Sequence, residues 1–482
     1  MKLKVKTKIA YGFTAMADHA LHDLYVTFFL FFLTTAAGIS PGIAGVITAV
    51  GAVWESVITL FAGYISDRTH SRMGKRKPFI VFLSFPMALV SSLLFAVVDA
   101  PMGIRIVYYL FMTMLYWTLF PMFYIPFVAW GAELTTDYDE RTSLRSYAYI
   151  GNMLGLCVST LFPTVMVDYL VGIGMKSGNA WHNAVSIVAV FIFASLFIGP
   201  MMIKEKSNAL SPEEKENLKR LRRNRKEKQD GILHLLRDMF SEFARILKLK
   251  AVRYLLLASI LFAAANSMFA ADKMYYFTYY MEISGVRVTA LFLTVAISGM
   301  LLVPLVNFSK KYLDKRIQFV TGLTACAAVM IFFRFIGVHS MPMAFLFMIA
   351  FGLGSMCYWQ LMPNMIYDVC ELDELTSGAK RQGALMSLQS IAESIADGSG
   401  ALVLGFILEM AGFDEALPVQ TQTALSWVEN CFTVLPALLI LLAVVMVLKY
   451  PITKKNHKKI VEALDRKKKG EEVDLAAFRS LL

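Results

Sequence analysis

Apolar runs and short polar connections alternate along the whole chain. Residues 79–98, 184–203 and 432–448 carry no charged side chain. A bilayer core about 30 Å thick takes roughly 20 apolar residues per helix. Backbone polar groups in lipid must be satisfied within the segment, so these runs predict helices. Transmembrane β-strands would instead alternate over about 10 residues, and no such segments occur. The pattern predicts twelve spans, over 10–37, 42–66, 78–99, 104–134, 144–170, 181–204, 250–281, 286–309, 316–337, 341–370, 382–412 and 422–450. Ser40-Pro41 and Ser340 are expected to cap the second and tenth.

Composition agrees. Of 482 residues, 57% are hydrophobic and 17% charged, against about 25% charged in soluble domains. No removable leader is expected, because the first apolar segment carries Asp18, His19, His22 and Asp23. The five cysteines have no paired spacing and are expected to pack as small apolar residues.

The excess of 47 basic over 36 acidic residues would suit a nucleic-acid binder if it formed a patch. It is split among alternate loops instead. Basic residues gather before the first span, in Arg68–Lys77, in 204–253, in 310–316 and after Lys449, while the opposite loops hold little beyond Arg105, Lys176 and Arg287. The positive-inside rule then predicts a multi-pass cell-membrane protein with both termini cytoplasmic, and no nucleic-acid partner.

The only long polar connection divides the chain in two. A six-helix bundle is expected over 1–204, a cytoplasmic linker over 205–249, a second bundle over 250–450 and a cytoplasmic tail over 451–482. Ser211-Pro212-Glu213-Glu214 predicts a charged helix inside the linker. In the tail, Ile460, Val461 and Leu464 form an apolar face that suits the membrane or the protein. Span 4, with Pro126 before Glu133, echoes span 10, with Pro363 before Glu371. Such parallel repeats place a solute between the halves. The expected partners are a small-molecule solute and the bilayer, with a monomeric chain. No nucleophile constellation, metal motif or phosphate loop supports an enzyme.

Four motifs carry a family resemblance: Ala10-Tyr11-Gly12; Arg72-x-Gly-Lys-x-Lys-Pro78; Glu133-Leu134-Thr135 through Glu140-Arg141-Thr142; and Tyr450-Pro451-Ile452-Thr453. With them the chain resembles the glycoside-pentoside-hexuronide:cation symporters of the major facilitator superfamily. The resemblance implies an all-α membrane fold of two six-helix bundles and cation-coupled sugar or glycoside symport by alternating access. It assigns cytoplasmic gating to Asp67, Arg68, Glu133 and Arg141.

Ionisable groups inside a span cost at least about 2.5 kcal/mol each and are functional candidates. Asp18/His22 and His19/Asp23 are both i,i+4 on one face of helix 1, so each histidine is expected to bond a carboxylate one turn away. The resembling family carries two acids on helix 2. Here Glu55 keeps the first and Thr59 replaces the second. Glu55, Thr59, Asp18, His19 and His22 are therefore the coupling candidates, with a proton or sodium near Glu55 as the ion. The family's sugar-binding positions fall on His19, Tyr124, Tyr149 and Ser394, all changed, with Glu393 and Asp397 beside the last. Asp23 joins these, and Tyr25, Tyr124, Tyr149 and Trp359 are candidate aromatic platforms. The changes leave a second reading: a proton-coupled or uncoupled carrier of a non-sugar amphipathic or anionic solute. Asp272 and Lys273 are expected to pair with other helices or face the cavity, and Arg334 to reach the surface.

Overall fold

The computed structural model describes residues 3–69, 71, 73–74, 76–134, 138–203, 241–309, 313–378, 382–414, 417, 419–468, 471 and 478. The expected linker helix beginning at Ser211 lies outside them. The first half holds α1 (Val5–Thr35), α2 (Pro41–Arg68), α3 (Lys77–Leu94), α4 (Met102–Glu133), α5 (Tyr138–Gly172) and α6 (Ser177–Met202). The second holds α7 (Lys250–Tyr275), α8 (Gly285–Ser309), α9 (Lys315–Ile336), α10 (Met341–Ser377) and α11 (Gln382–Met410). Its last span is α12 (Gln422–Phe432) with α13 (Val434–Leu448), broken at Thr433, and the tail forms α14 (Lys454–Lys468). Among the described residues, ten spans are long and apolar enough to cross a membrane.

α1 is charged for a spanning helix, and it tolerates this by lying inside the protein. Leu21, Phe28, Phe29 and Phe32 have no exposed surface, and α5, α6 and α7 pack around it. A β-carbon on Gly151 would strike the Gly12 carbonyl, and one on Gly155 the Met16 carbonyl. This small-xxx-small spacing on α5 brings the two backbones together.

The halves repeat one packing scheme. α1 pairs with α5, α2 with α4 and α3 with α6; correspondingly α7 pairs with α11, α8 with α10 and α9 with α13. They meet along α2–α11, α5–α8 and α1–α7. Because the spans alternate in direction, both chain ends lie on one face, called here the terminal face. Joining contacts gather toward the opposite, far face. Tyr275 hydroxyl lies 2.5 Å from Thr34 hydroxyl, Thr164 hydroxyl lies 2.5 Å from that of Thr289, and Phe28 packs on Phe292.

Several local expectations change. Ser40 and Ser340 occupy N-cap positions without accepting a helix N–H. Asp314 and Thr421 cap instead, accepting from the Arg316 and Ala424 amides. The apolar tail face rests on protein: Ile460 is fully buried and α14 packs against α10. His457 of α14 reaches Glu371 at 2.7 Å and Asp368 at 3.3 Å. Arg334 does not run to the surface alone but pairs with Glu429 at 3.2 Å and donates to Asn430 at 2.7 Å.

Candidate functional site

A pocket lies between the halves, midway along the spans. His22, Tyr25, Val26 and Leu30 of α1, Thr48, Ala52 and Glu55 of α2, and Trp117 of α4 form one wall. Ser267 and Ala271 of α7, with Asp397, Gly398 and Ala401 of α11, form the other. Helical spacing explains both acids. Ala52 and Glu55 are i,i+3 on α2, as are Ser394 and Asp397 on α11, and Ser387 and Ser390 continue that polar stripe.

Glu55 and Asp397 face one another from opposite halves, close enough for their charges to interact. Neither carboxyl makes a hydrogen bond or ion pair among the described residues. The Asp397 backbone is held, since its carbonyl accepts from the Ser267 hydroxyl at 2.5 Å. Glu393 is committed elsewhere, accepting from Tyr358 at 2.5 Å and from Gln389 at 2.9 Å. The Tyr358 bond ties α11 to α10 and the Gln389 bond lies within α11, so Glu393 supports the wall while Asp397 is presented to the pocket.

The helix 1 cluster splits in two. His19 Nδ1 lies 3.1 Å from the Asp23 carboxylate, as its spacing predicts. The expected His22–Asp18 bond is not formed. His22 turns toward Trp117 and Phe120, with ring centroids 6.3 and 6.2 Å away, and Asp18 lies 3.5 Å from the Asn152 amide on α5. Neighbouring positions on this one helix face meet different partners. Asp23 also feels Lys273 across the α1–α7 boundary, and the Lys273 ammonium sits 4.7 Å from the Phe292 ring centre. Asp272 and Lys273, about 100° apart on one helix, go separate ways.

Of the aromatic candidates, Tyr25 alone lines the pocket. It stacks on Tyr116 at 5.4 Å and meets Trp117 edge-on at 4.9 Å. The Tyr25 hydroxyl, Thr113 hydroxyl and Trp117 indole N–H are all buried without a hydrogen bond. Tyr124 stacks on Phe120, while Tyr149 and Trp359 are 49% and 52% exposed and stand away from this pocket. Thr59 and Ser394 sit one turn from Glu55 and Asp397, outside the lining. Asp67, Arg68, Glu133 and Arg141 fall at helix ends on the terminal face, and their side chains lie outside the described ones. Sequence reasoning set Asp397 beside a sugar position without making it a coupling group and passed over Trp117; the i,i+3,i+7,i+10 stripe Ser387, Ser390, Ser394, Asp397 was the available signal for the first.

A family described as MFS/sugar transport protein matches residues 10–454. The chain belongs to this family. It is a secondary transporter of the glycoside-pentoside-hexuronide:cation symporter group, in the major facilitator fold of two six-helix bundles. Full-length similarity joins it to the inner membrane symporter YicJ of Escherichia coli, at 24% identity over 97% of this chain and 96% of that one. The isoprimeverose transporter of Lactiplantibacillus pentosus is 23% identical over 94% and 90% of the two chains. A solved proton-dependent oligopeptide transporter superposes with a TM-score of 0.65 at 14% identity, covering 96% of this symporter and all of its own chain. That likeness is one of fold.

Proposed function

We propose that this symporter couples entry of a sugar or glycoside to a proton, with Glu55 and Asp397 as the proton-binding pair. Both termini then lie in the cytoplasm, as the basic loops of that face require. The observation that carries the reading is two unpaired carboxyls facing one pocket from opposite halves. At an effective dielectric of about 20, two like charges even 8 Å apart repel by roughly 2 kcal/mol, about thirtyfold in an equilibrium. A proton on either acid removes that repulsion and favours approach of α2 to α11. Proton binding thereby biases the alternation of access, and His22 on the same wall offers a second basic group. A hard cation needs several oxygen ligands, whereas Thr59 supplies no charge and lies one turn from Glu55, beyond the residues that line the pocket. Tyr25 and Trp117 give a sugar ring an apolar platform in the same pocket as the Glu55 and Asp397 carboxyls, the usual balance of a small-molecule site.

The test is uptake of labelled glycosides, isoprimeverose among them, into liposomes holding the purified protein. An inward proton gradient should drive accumulation without sodium. Glu55→Gln and Asp397→Asn should each abolish accumulation while leaving exchange of solute across the membrane. Uptake driven by sodium alone would overturn the proton assignment, and no uptake of any glycoside would overturn the sugar.

A further inference from the structure

Asp272 of α7 is fully buried, and neither of its carboxyl oxygens has a hydrogen-bond partner. It faces away from the central pocket, into the wall of the second half. A carboxyl kept only for packing would be tied down by donors, as Glu393 is. One left without them in a membrane helix is costly and marks function. One turn on, the Tyr276 hydroxyl is also buried and unbonded. Tyr276 and Tyr280 are i,i+4 and share one side of the helix, within the π-turn that residues Tyr276–Tyr280 form. Their rings stack at 4.8 Å with 16° between planes, and Tyr276 stacks on Phe432 at 4.1 Å. The Tyr280 hydroxyl donates to Glu429 at 3.0 Å. Glu429 pairs with Arg334, which is about one-third exposed near the far-face end of α9.

We propose that Asp272 is a second proton-binding site, exchanging with far-face solvent through Tyr276, Tyr280 and Glu429 rather than through the central pocket. The step is simple. A hydronium at Glu429 gives up one proton to Tyr280, already bonded there; when the free Tyr276 hydroxyl turns to bridge Tyr280 and Asp272, each hydroxyl receives one proton and passes one on, and the Asp272 carboxylate becomes a carboxylic acid. The groups that face Asp272 are Tyr276 on its own helix and Cys431 on α12. Glu429, Tyr280 and Arg334 stand one step further, and α10 presents only Phe347 and Phe351 to Phe269, a turn away. The site does not depend on which ion the central pocket takes.

Infrared difference spectroscopy of the full chain in liposomes tests this without any solute. The wild type should show the carbonyl stretch of a buried neutral carboxylic acid that is missing from Asp272→Asn and shifted in Asp272→Glu. Tyr276→Phe should keep that band but slow its shift on transfer to heavy water at least tenfold, with Tyr280→Phe acting in the same direction. A spectrum unchanged in both Asp272 variants would overturn the site. An exchange rate unchanged in both tyrosine variants would overturn the route.

Discussion

Gly398→Ala should shift the carrier toward opening on its far face. Gly398 lies where α11 crosses α2, and an added β-carbon would stand 2.5 Å from the Ala52 β-carbon and 3.3 Å from the Ala49 Cα and carbonyl oxygen. Carbon atoms rest about 3.5–4.0 Å apart, so the deficit is about 1 Å against Ala52. Neither an alanine methyl nor a backbone atom can rotate away, and relief requires α2 and α11 to part. Overpacking of this kind costs about 1–3 kcal/mol. Alanine also favours helix over glycine by about 1 kcal/mol, but that gain is common to both conformations and cancels in their ratio. The far-closed arrangement alone suffers the clash, so its population relative to the far-open one should fall roughly 5- to 150-fold. Spin labels at Met102 and Val419, which are 40% and 76% exposed in far-face segments of opposite halves, report the change. The background needs the five native cysteines replaced. The variant should populate longer label distances by double electron–electron resonance. A folded variant with the wild-type distance distribution would refute the reasoning.

Thr164→Val removes the 2.5 Å contact with Thr289 that joins α5 to α8; the loss of about 0.5–1.5 kcal/mol should lengthen the same label distances, to a smaller degree. Glu393→Ala strips Tyr358 and Gln389 of their common acceptor and should cost about 1–3 kcal/mol, read as a fall in melting temperature in detergent. Glu393→Gln, which keeps an acceptor, should recover most of it, and equal losses in the two variants would count against the assignment. Ile460→Asp places a charge at a fully buried position beneath α14. The tail should lift from α10 and be cut faster by protease while the spans stay intact; an unchanged cleavage rate would show that Ile460 does not hold it.

Membrane insertion and the helical carrier fold were legible in the sequence because they depend on a one-dimensional quantity. Apolar run length matches bilayer thickness. Glu55 was legible for a related reason: an acid in an apolar run is anomalous wherever the run ends up. The His19–Asp23 bond also followed from spacing, since i,i+4 neighbours on one helix meet before any tertiary contact forms. Which side of a helix meets which neighbour is a different kind of information. His22 and Asp18 share the same spacing yet part, because α4 offers His22 an aromatic surface. Asp397 and Glu393 both looked like acids beside a sugar position. Tertiary packing alone placed Tyr358 against one and the open pocket against the other. Asp272 and Lys273 are neighbours in sequence, but one is sealed inside the second half and the other faces α1. Sequence by itself determined that this chain is a two-bundle membrane carrier with costly charges in its helices. Only the tertiary structure decided which of those charges are satisfied, because satisfaction depends on partners from helices distant in the chain.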